Sequence, residues 1–291
     1  MTLNSLSIAP RTGARLLGLG LLVLGPCVNA AGYTVPRLAD GTPDFRGIWQ
    51  VHDTAYLNIE GHPAMKGVAA SRSIIVDPAD GRIPYTPEAL ARRDANARAA
   101  ASLDPALKCY EAGVPRATYL AKPLQIVQGS MYTAIVYQDN HAFRVIYPAS
   151  RPHFEGVDWW MGDSRGHWDG DTLVIDVTTL NDVAWFDEAG NHHSNQLHVL
   201  ERYTRTGPTT LQYQATMEDP ATFTRPFTIR ETLHADTRPG ARLIEDECLE
   251  DRDGVHHHIS PTDPANLLHN TYRRWDLIQS LQSDAASGSK P

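Results

Sequence analysis

From Leu124 to Glu250 the chain runs as a series of short segments rich in β-branched and aromatic residues, each bounded by Gly, Pro, Asn or Asp. Residues 125–128, 131–137, 142–147, 171–177, 197–203, 210–216, 227–233 and 242–247 follow one another with no crossover helix between them. Parallel pairing needs such crossovers, so the pattern predicts an antiparallel meander. A meander of this length must hide its edges, most simply by closing on itself. The expected fold is therefore all-β, a lipocalin-like (calycin-type) barrel with one helical insertion and long loops over an opening. Small barrels can hold one small molecule inside.

The first residues read as an export signal. Arg11 and Arg15 precede the apolar run from Leu16, and Val28-Asn-Ala30 offers small residues for cleavage. That run falls short of the ~20 apolar residues a membrane span needs. Pro26 stands before Cys27 where a lipidation signal wants a small residue, so release without a membrane anchor is expected, into the periplasm or outside the cell. Cleavage after Ala30 leaves 291 − 30 = 261 residues. They divide into an extended arm over 31–45, a barrel domain over 46–260 and a partly disordered tail over 261–291, in which a short helix is expected around Asn266 to Leu281. The inserted helix is expected over 86–101, with Thr86 as N-cap, Pro87 in the first turn and alanines dominating. Further strands are expected from Phe45 and over Ser71–Val76.

A net charge of −8 argues against nucleic acid or an anionic membrane surface as partner. The composition does not settle the oligomeric state. In an oxidising compartment Cys109 and Cys248 form an even pair, and a disulfide between them is expected. Glycine-rich phosphate loops are missing, as is a Gly-x-Ser-x-Gly elbow, so neither a nucleotide cofactor nor nucleophilic catalysis is expected.

Several motifs recur in order: Gly41-Thr-Pro-Asp-Phe-Arg-Gly-Ile-Trp49, Lys108-Cys109 with Gly113-Val-Pro-Arg116, Asn140-His-Ala-Phe-Arg144, Arg151-Pro-His153, Trp160-Met-Gly-Asp-Ser-Arg-Gly-His-Trp-Asp-Gly-Asp-Thr-Leu-Val174, His193-Ser with Leu197-His-Val-Leu-Glu-Arg-Tyr203, and Asp219-Pro with Thr224-Arg-Pro-Phe227. In this set the chain resembles a family of exported bacterial proteins of unestablished activity. The resemblance implies a β-rich fold and export, and assigns no catalytic residue. Gly47-Ile-Trp49 also resembles the Gly-x-Trp that opens lipocalin barrels.

The polar residues among the strands supply the candidate chemistry. His141, Phe143 and Val145 share one strand face, and Ala142, Arg144 and Ile146 the other. A histidine at a barrel rim suits proton transfer, or equally caps a turn. Asp169-Gly170 predicts a type I′ turn, which makes Asp169 and Asp171 turn-formers. His192, His193, His198, Glu201 and Arg202 form the sharpest cluster. Its spacing matches no zinc signature, and His198 and Glu201 point to opposite faces of a strand, so a metal-free, cofactor-free site is expected. The expected catalytic residues are His141, His198 and His193 for proton transfer and Arg144 for holding a substrate oxygen. Trp160, Tyr137, Phe143 and Tyr203 are the expected substrate-binding aromatics, and His256–His258 is read as exposed loop. These residues suit cofactor-independent isomerisation, elimination or cyclisation of a small apolar or aromatic molecule. The alternatives are a lipocalin-type binder without chemistry and a metal-dependent hydrolase or oxygenase.

Overall fold

Strand follows strand in this chain because period-2 alternation recurs from one segment to the next, and each hairpin buries the odd or even set of its residues. The computed structural model describes residues 33–250 and 256–259. The strands are β1 (Gly47–Gln50), β2 (Gly61–His62), β3 (Ser71–Arg72), β4 (Ile75–Asp77), β5 (Leu124–Gln128), β6 (Thr133–Tyr137), β7 (Phe143–Pro148), β8 (Asp163–Asp169), β9 (Thr172–Thr178), β10 (His198–Gly207), β11 (Thr210–Glu218), β12 (Phe227–Ala235), β13 (Glu247–Glu250) and β14 (His256–Ile259). The sheet order is β1-β5-β6-β7-β8-β9-β10-β11-β12-β4. β12 also pairs with β1, Trp49 opposite Ala235 and Gln50 opposite His234, so nine strands close into a barrel as expected.

The barrel is mixed rather than wholly antiparallel: β7 and β8 run parallel, with Ile146 opposite Ser164. The loop over 149–162 makes this possible. It carries the chain back the length of the barrel without a helix, a connection long enough for a parallel return. The turn after β8 also differs from expectation. Asp169 pairs with Thr172, so Gly170 and Asp171 are its central residues. Only Gly170 has a positive φ, 60°, which fits a type II′ turn; type I′ needs two.

Residues 242–247 do not form a barrel strand, because closure of β12 on β1 leaves no edge to receive one. Instead β13 pairs with β14 in a separate ribbon, Cys248 opposite His258. His256–His258 is thus strand and not the expected loop. The segment over 71–76 splits in two where Ser73 turns its hydroxyl to the carbonyls of Ile59 and Gly81; β3 pairs with β2, and β4 with β12. Helix α1 (Pro87–Arg98) begins as expected, with the Thr86 hydroxyl accepting the Ala89 N–H at 3.2 Å. The expected signal over 1–30 and the tail helix lie outside the described residues.

Alternation fills the interior. Val199, Glu201 and Tyr203 of β10, Leu211, Tyr213, Ala215 and Met217 of β11, and Phe227, Ile229 and Leu233 of β12 are all buried. Each large apolar side chain so placed contributes roughly 1.5–3 kcal/mol. The loop over 103–123, expected above an opening, instead helps fill the barrel end: residues 112–119 are buried without a break. Thr118 Oγ1 meets the Tyr203 hydroxyl at 3.2 Å, and the Tyr119 hydroxyl donates to the Phe186 carbonyl at 2.8 Å. Arg116, in the same stretch, is held by both oxygens of buried Asp104, at 2.8 and 2.7 Å. Cys109 and Cys248 are joined in the expected disulfide.

Candidate functional site

Arg144 projects into the barrel. Its Nη2 donates to Glu201 Oε1 at 2.9 Å while Nη1 donates to Oε2. The Arg144 Nε–H reaches the Tyr137 hydroxyl at 3.0 Å, and the Tyr213 hydroxyl donates to Glu201 at 2.8 Å. Tyr203 lies beside Tyr213, with ring centroids 4.8 Å apart. The structure thus brings together three expected residues, Arg144, Tyr137 and Tyr203, and adds Glu201 and Tyr213. The donors and acceptors of this group are turned on one another inside a packed core. It is a saturated structural network with no guanidinium face left for a substrate.

The histidines do not share that interior. His198 faces outward on β10 and bonds Asp176 at 3.1 Å. The hydrogen bond to Asp176 raises its pKa. His153 approaches the same Asp176 oxygen at 3.2 Å. His141 lies on the surface at the turn before β7, and Phe143, next on its face, is 63% exposed. His193 is buried in the loop over 181–196, against the Phe186 ring at 5.1 Å. Burial lowers its pKa to about 4. Trp160 stacks on Tyr110 with centroids 4.9 Å apart. The expected pocket combining an imidazole with the Arg144 guanidinium is therefore not formed: His198 faces outward on β10, His141 lies in a surface turn, and His193 is buried in the loop over 181–196.

A different constellation lies where the barrel wall changes partner. β12 pairs with β4 at Thr228 and Ile229, and with β1 only from His234. Arg230 N–H still reaches the Ile74 carbonyl at 2.9 Å. Beyond it, Glu231 to Leu233 have no strand on that side. The Thr232 N–H, which a neighbouring strand would otherwise take, points to Glu231 Oε2 at 3.3 Å. A cleft of about 520 Å³ occupies this seam, lined by residues that include His52, Asp53, Arg72, Arg230, Glu231 and His234.

Glu231 sits on the inward face of β12 and is only 6% exposed, yet it borders the cleft. Its Oε1 is buried and, among the described residues, receives no hydrogen bond. Burial, with the hydrogen bond and charge of adjacent Asp53, raises its pKa to about 9. Two ionised carboxylates cannot hydrogen-bond each other; one proton makes the contact possible, and burial places that proton on Glu231. Asp53 also accepts the Ala55 N–H at 2.9 Å, which fixes the loop that carries it. Across the mouth His52 and His234 stack, centroids 4.6 Å apart and planes 9° apart. Their adjacency follows from the register of β1 on β12.

The sequence carried one signal for this site. In Phe227-Thr-Ile-Arg-Glu-Thr-Leu233, period-2 counting places Glu231 among Phe227, Ile229 and Leu233. A carboxylate on an apolar strand face needs a partner or a proton. Asp53 had no such mark, since it comes from a loop distant in the chain. No protein-family model, no curated protein and no solved structure matches the chain.

Proposed function

We propose that the protein is an exported small-molecule enzyme that transfers protons at the seam cleft, with Glu231 as acid and Asp53 as base. The supporting observation is the buried Glu231 carboxyl beside Asp53 at an accessible cleft, where burial and that neighbour favour its protonated form. A carboxylic acid kept protonated near neutral pH can donate where an ionised neighbour accepts. In an isomerisation, Asp53 removes a proton from a substrate carbon as Glu231 delivers its own proton to the far end. Transfer of the acquired proton from Asp53 to Glu231 restores the pair, with no net proton consumed. Elimination and cyclisation use the same two movements, and none of them requires a cofactor. The disulfide supports the exported setting, since such bonds persist in oxidising compartments. Among the described residues no helix is long and apolar enough to cross a membrane.

The test is turnover and solvent-proton exchange, followed by NMR in deuterated buffer over a panel of small hydroxy, oxo and unsaturated compounds. The expected result is conversion or exchange of at least one compound, lost in both Glu231→Gln and Asp53→Asn and kept in His198→Ala. Conversion that survives both carboxyl substitutions refutes the assignment. Binding without conversion across the panel returns the protein to the non-catalytic, lipocalin-type reading.

A further inference from the structure

Arg72 on β3 and Arg230 on β12 border the seam cleft from its two sides. Both are exposed, and among the described residues neither has a carboxylate partner. Some other surface arginines of this acidic chain do meet one: Arg46 with Asp44, Arg202 with Asp169, Arg225 with Asp77. Arg230 makes only a long contact, 3.5 Å, to the Gln214 side-chain oxygen. The cleft also carries the imidazoles of His52 and His234 and the hydroxyl-bearing stretch Ser71 to Ser73. One of its two carboxyls, Glu231, is more than nine-tenths buried, and its Oε1 receives no hydrogen bond among the described residues.

From this juxtaposition we infer that the cleft binds a small organic acid, whose carboxylate is gripped by Arg72 and Arg230 while its carbon skeleton lies over Glu231 and Asp53. The inference rests on the reading of the cleft as the working site, and it replaces the expected apolar substrate with an anionic one. A guanidinium presents a planar fork that matches a carboxylate in two parallel hydrogen bonds. Two such forks at one cleft, with no carboxylate partner among the described residues, leave positive charge that a substrate anion can neutralise. Glu231 fits an anion because its neutral carboxyl offers a proton to an oxygen and adds no repelling charge. Asp53 lies beside it, Tyr213 stands opposite it on β11 and Tyr119 approaches from the interior, while His52, Arg72, Arg230 and His234 border the same cleft. Ionising Glu231 in that company sets a second negative charge beside Asp53 and opposes anion binding.

The experiment titrates the full chain with acetate and benzoate, and in parallel with the neutral acetamide and benzamide, by calorimetry and NMR. At least one carboxylate is expected to bind, with its amide at least tenfold weaker. Each charged hydrogen bond of this kind is worth roughly 10- to 100-fold in affinity, so Arg72→Gln with Arg230→Gln is expected to weaken benzoate by at least tenfold. Both arginines are exposed, so the thermal midpoint of that variant should stay near the parent's, which keeps folding out of the result. Glu231→Gln, a neutral donor of the same shape, is expected to retain carboxylate binding and to hold it at alkaline pH where the parent weakens. Equal binding of acid and amide, an unchanged double arginine variant, or no carboxylate binding overturns the inference. Turnover of a neutral compound that depends on Glu231 would leave proton transfer standing and remove only the anionic substrate. Carboxylate binding with no turnover would do the reverse.

Discussion

Arg144 on β7 and Glu201 on β10 meet inside the barrel as a two-pronged ion pair, with side-chain exposures of 2% and 0%. Residues 57 apart in the chain are thus tied across the lumen, and the hydroxyls of Tyr137 and Tyr213 occupy the remaining lone pairs and protons. The pair's attraction is offset by the cost of removing both charges from water, so its net contribution is small while each half needs the other. Arg144 therefore serves the fold, not a substrate.

Arg144→Met should cost about 3–5 kcal/mol, because it strands a carboxylate in the core. Adding Glu201→Leu should recover most of that loss, since an apolar pair of similar volume removes the uncompensated charge. Urea unfolding of the single and double variants measures both. A single variant within 1 kcal/mol of the parent would mean that Arg144 reaches water and its place in the core is wrong.

Glu231 predicts an unusual pH dependence. Its carboxyl titrates near 4.5 in the open chain and near 9 in the fold. Between those values the folded state keeps a proton that the unfolded state has released, so stability falls as pH rises through that window. Glu231→Gln removes this limb. Thermal midpoints taken from pH 5 to 9 should slope downward for the parent relative to Glu231→Gln. Parallel curves for the two proteins would show that Glu231 ionises freely.

His193 predicts a limb of opposite sign. The imidazole titrates near 6.5 when unfolded and near 4 in the fold, because burial disfavours its charged form. The unfolded state therefore binds more protons between those values, and stability is lost as pH falls from 6.5 toward 4. Buried Asp187 nearby is pushed up by burial to about 6, against the hydrogen bonds from Asn191, and contributes the reverse trend over much of the same range. The two separate only by difference. Parent minus His193→Gln should isolate a term that grows on acidification, read from the midpoints of guanidinium unfolding at pH 4.5 and 7; a pH-independent difference would contradict the buried neutral imidazole.

Strand identity was legible in the sequence because it is a local property: alternation on β10, β11 and β12 assigns every inward residue from Val199 to Leu233. The same counting sets Arg144 and Phe143 on opposite faces without saying which is inward; Arg144 is buried, and Phe143, an expected substrate-binding residue, is exposed. It could not show what Arg144 faces, since Glu201 is selected by barrel closure and not by spacing. Nine strands cannot alternate in direction all the way round a ring, so closure demands a parallel pair such as β7–β8, and a full ring leaves no edge for a barrel strand over 242–247. The histidines attracted attention as side chains of versatile chemistry, yet His198 and His141 lie on outward faces. The cleft instead depends on where β12 exchanges β1 for β4. That exchange joins Asp53, Arg72 and Glu231, residues far apart in sequence, and no local pattern records it.

The ribbon of β13 and β14 gives the last prediction. It follows Ala235, where the barrel closes, and it is tied back at few points. Cys248 bonds Cys109, the Lys122 ammonium meets the Asp246 carboxylate at 2.7 Å, and the Ile244 N–H donates to the Gln138 side chain at 3.2 Å. The disulfide spans a separation of 139 residues, for which the chain-entropy model allows about 5 kcal/mol. The closed loop contains β5 to β12, so that energy opposes unfolding of the barrel as a whole, while the β1–β12 pairing that closes the ring does not pass through the ribbon. Cys248→Ser should therefore leave one cooperative barrel transition while exposing the connecting segment to trypsin at Arg238 and Arg242, where the parent resists longer. Limited proteolysis with mass mapping, beside circular dichroism melts, tests this directly. Loss of the barrel transition itself in Cys248→Ser would mean that the ribbon holds the ring closed, contrary to the pairing of Trp49 with Ala235.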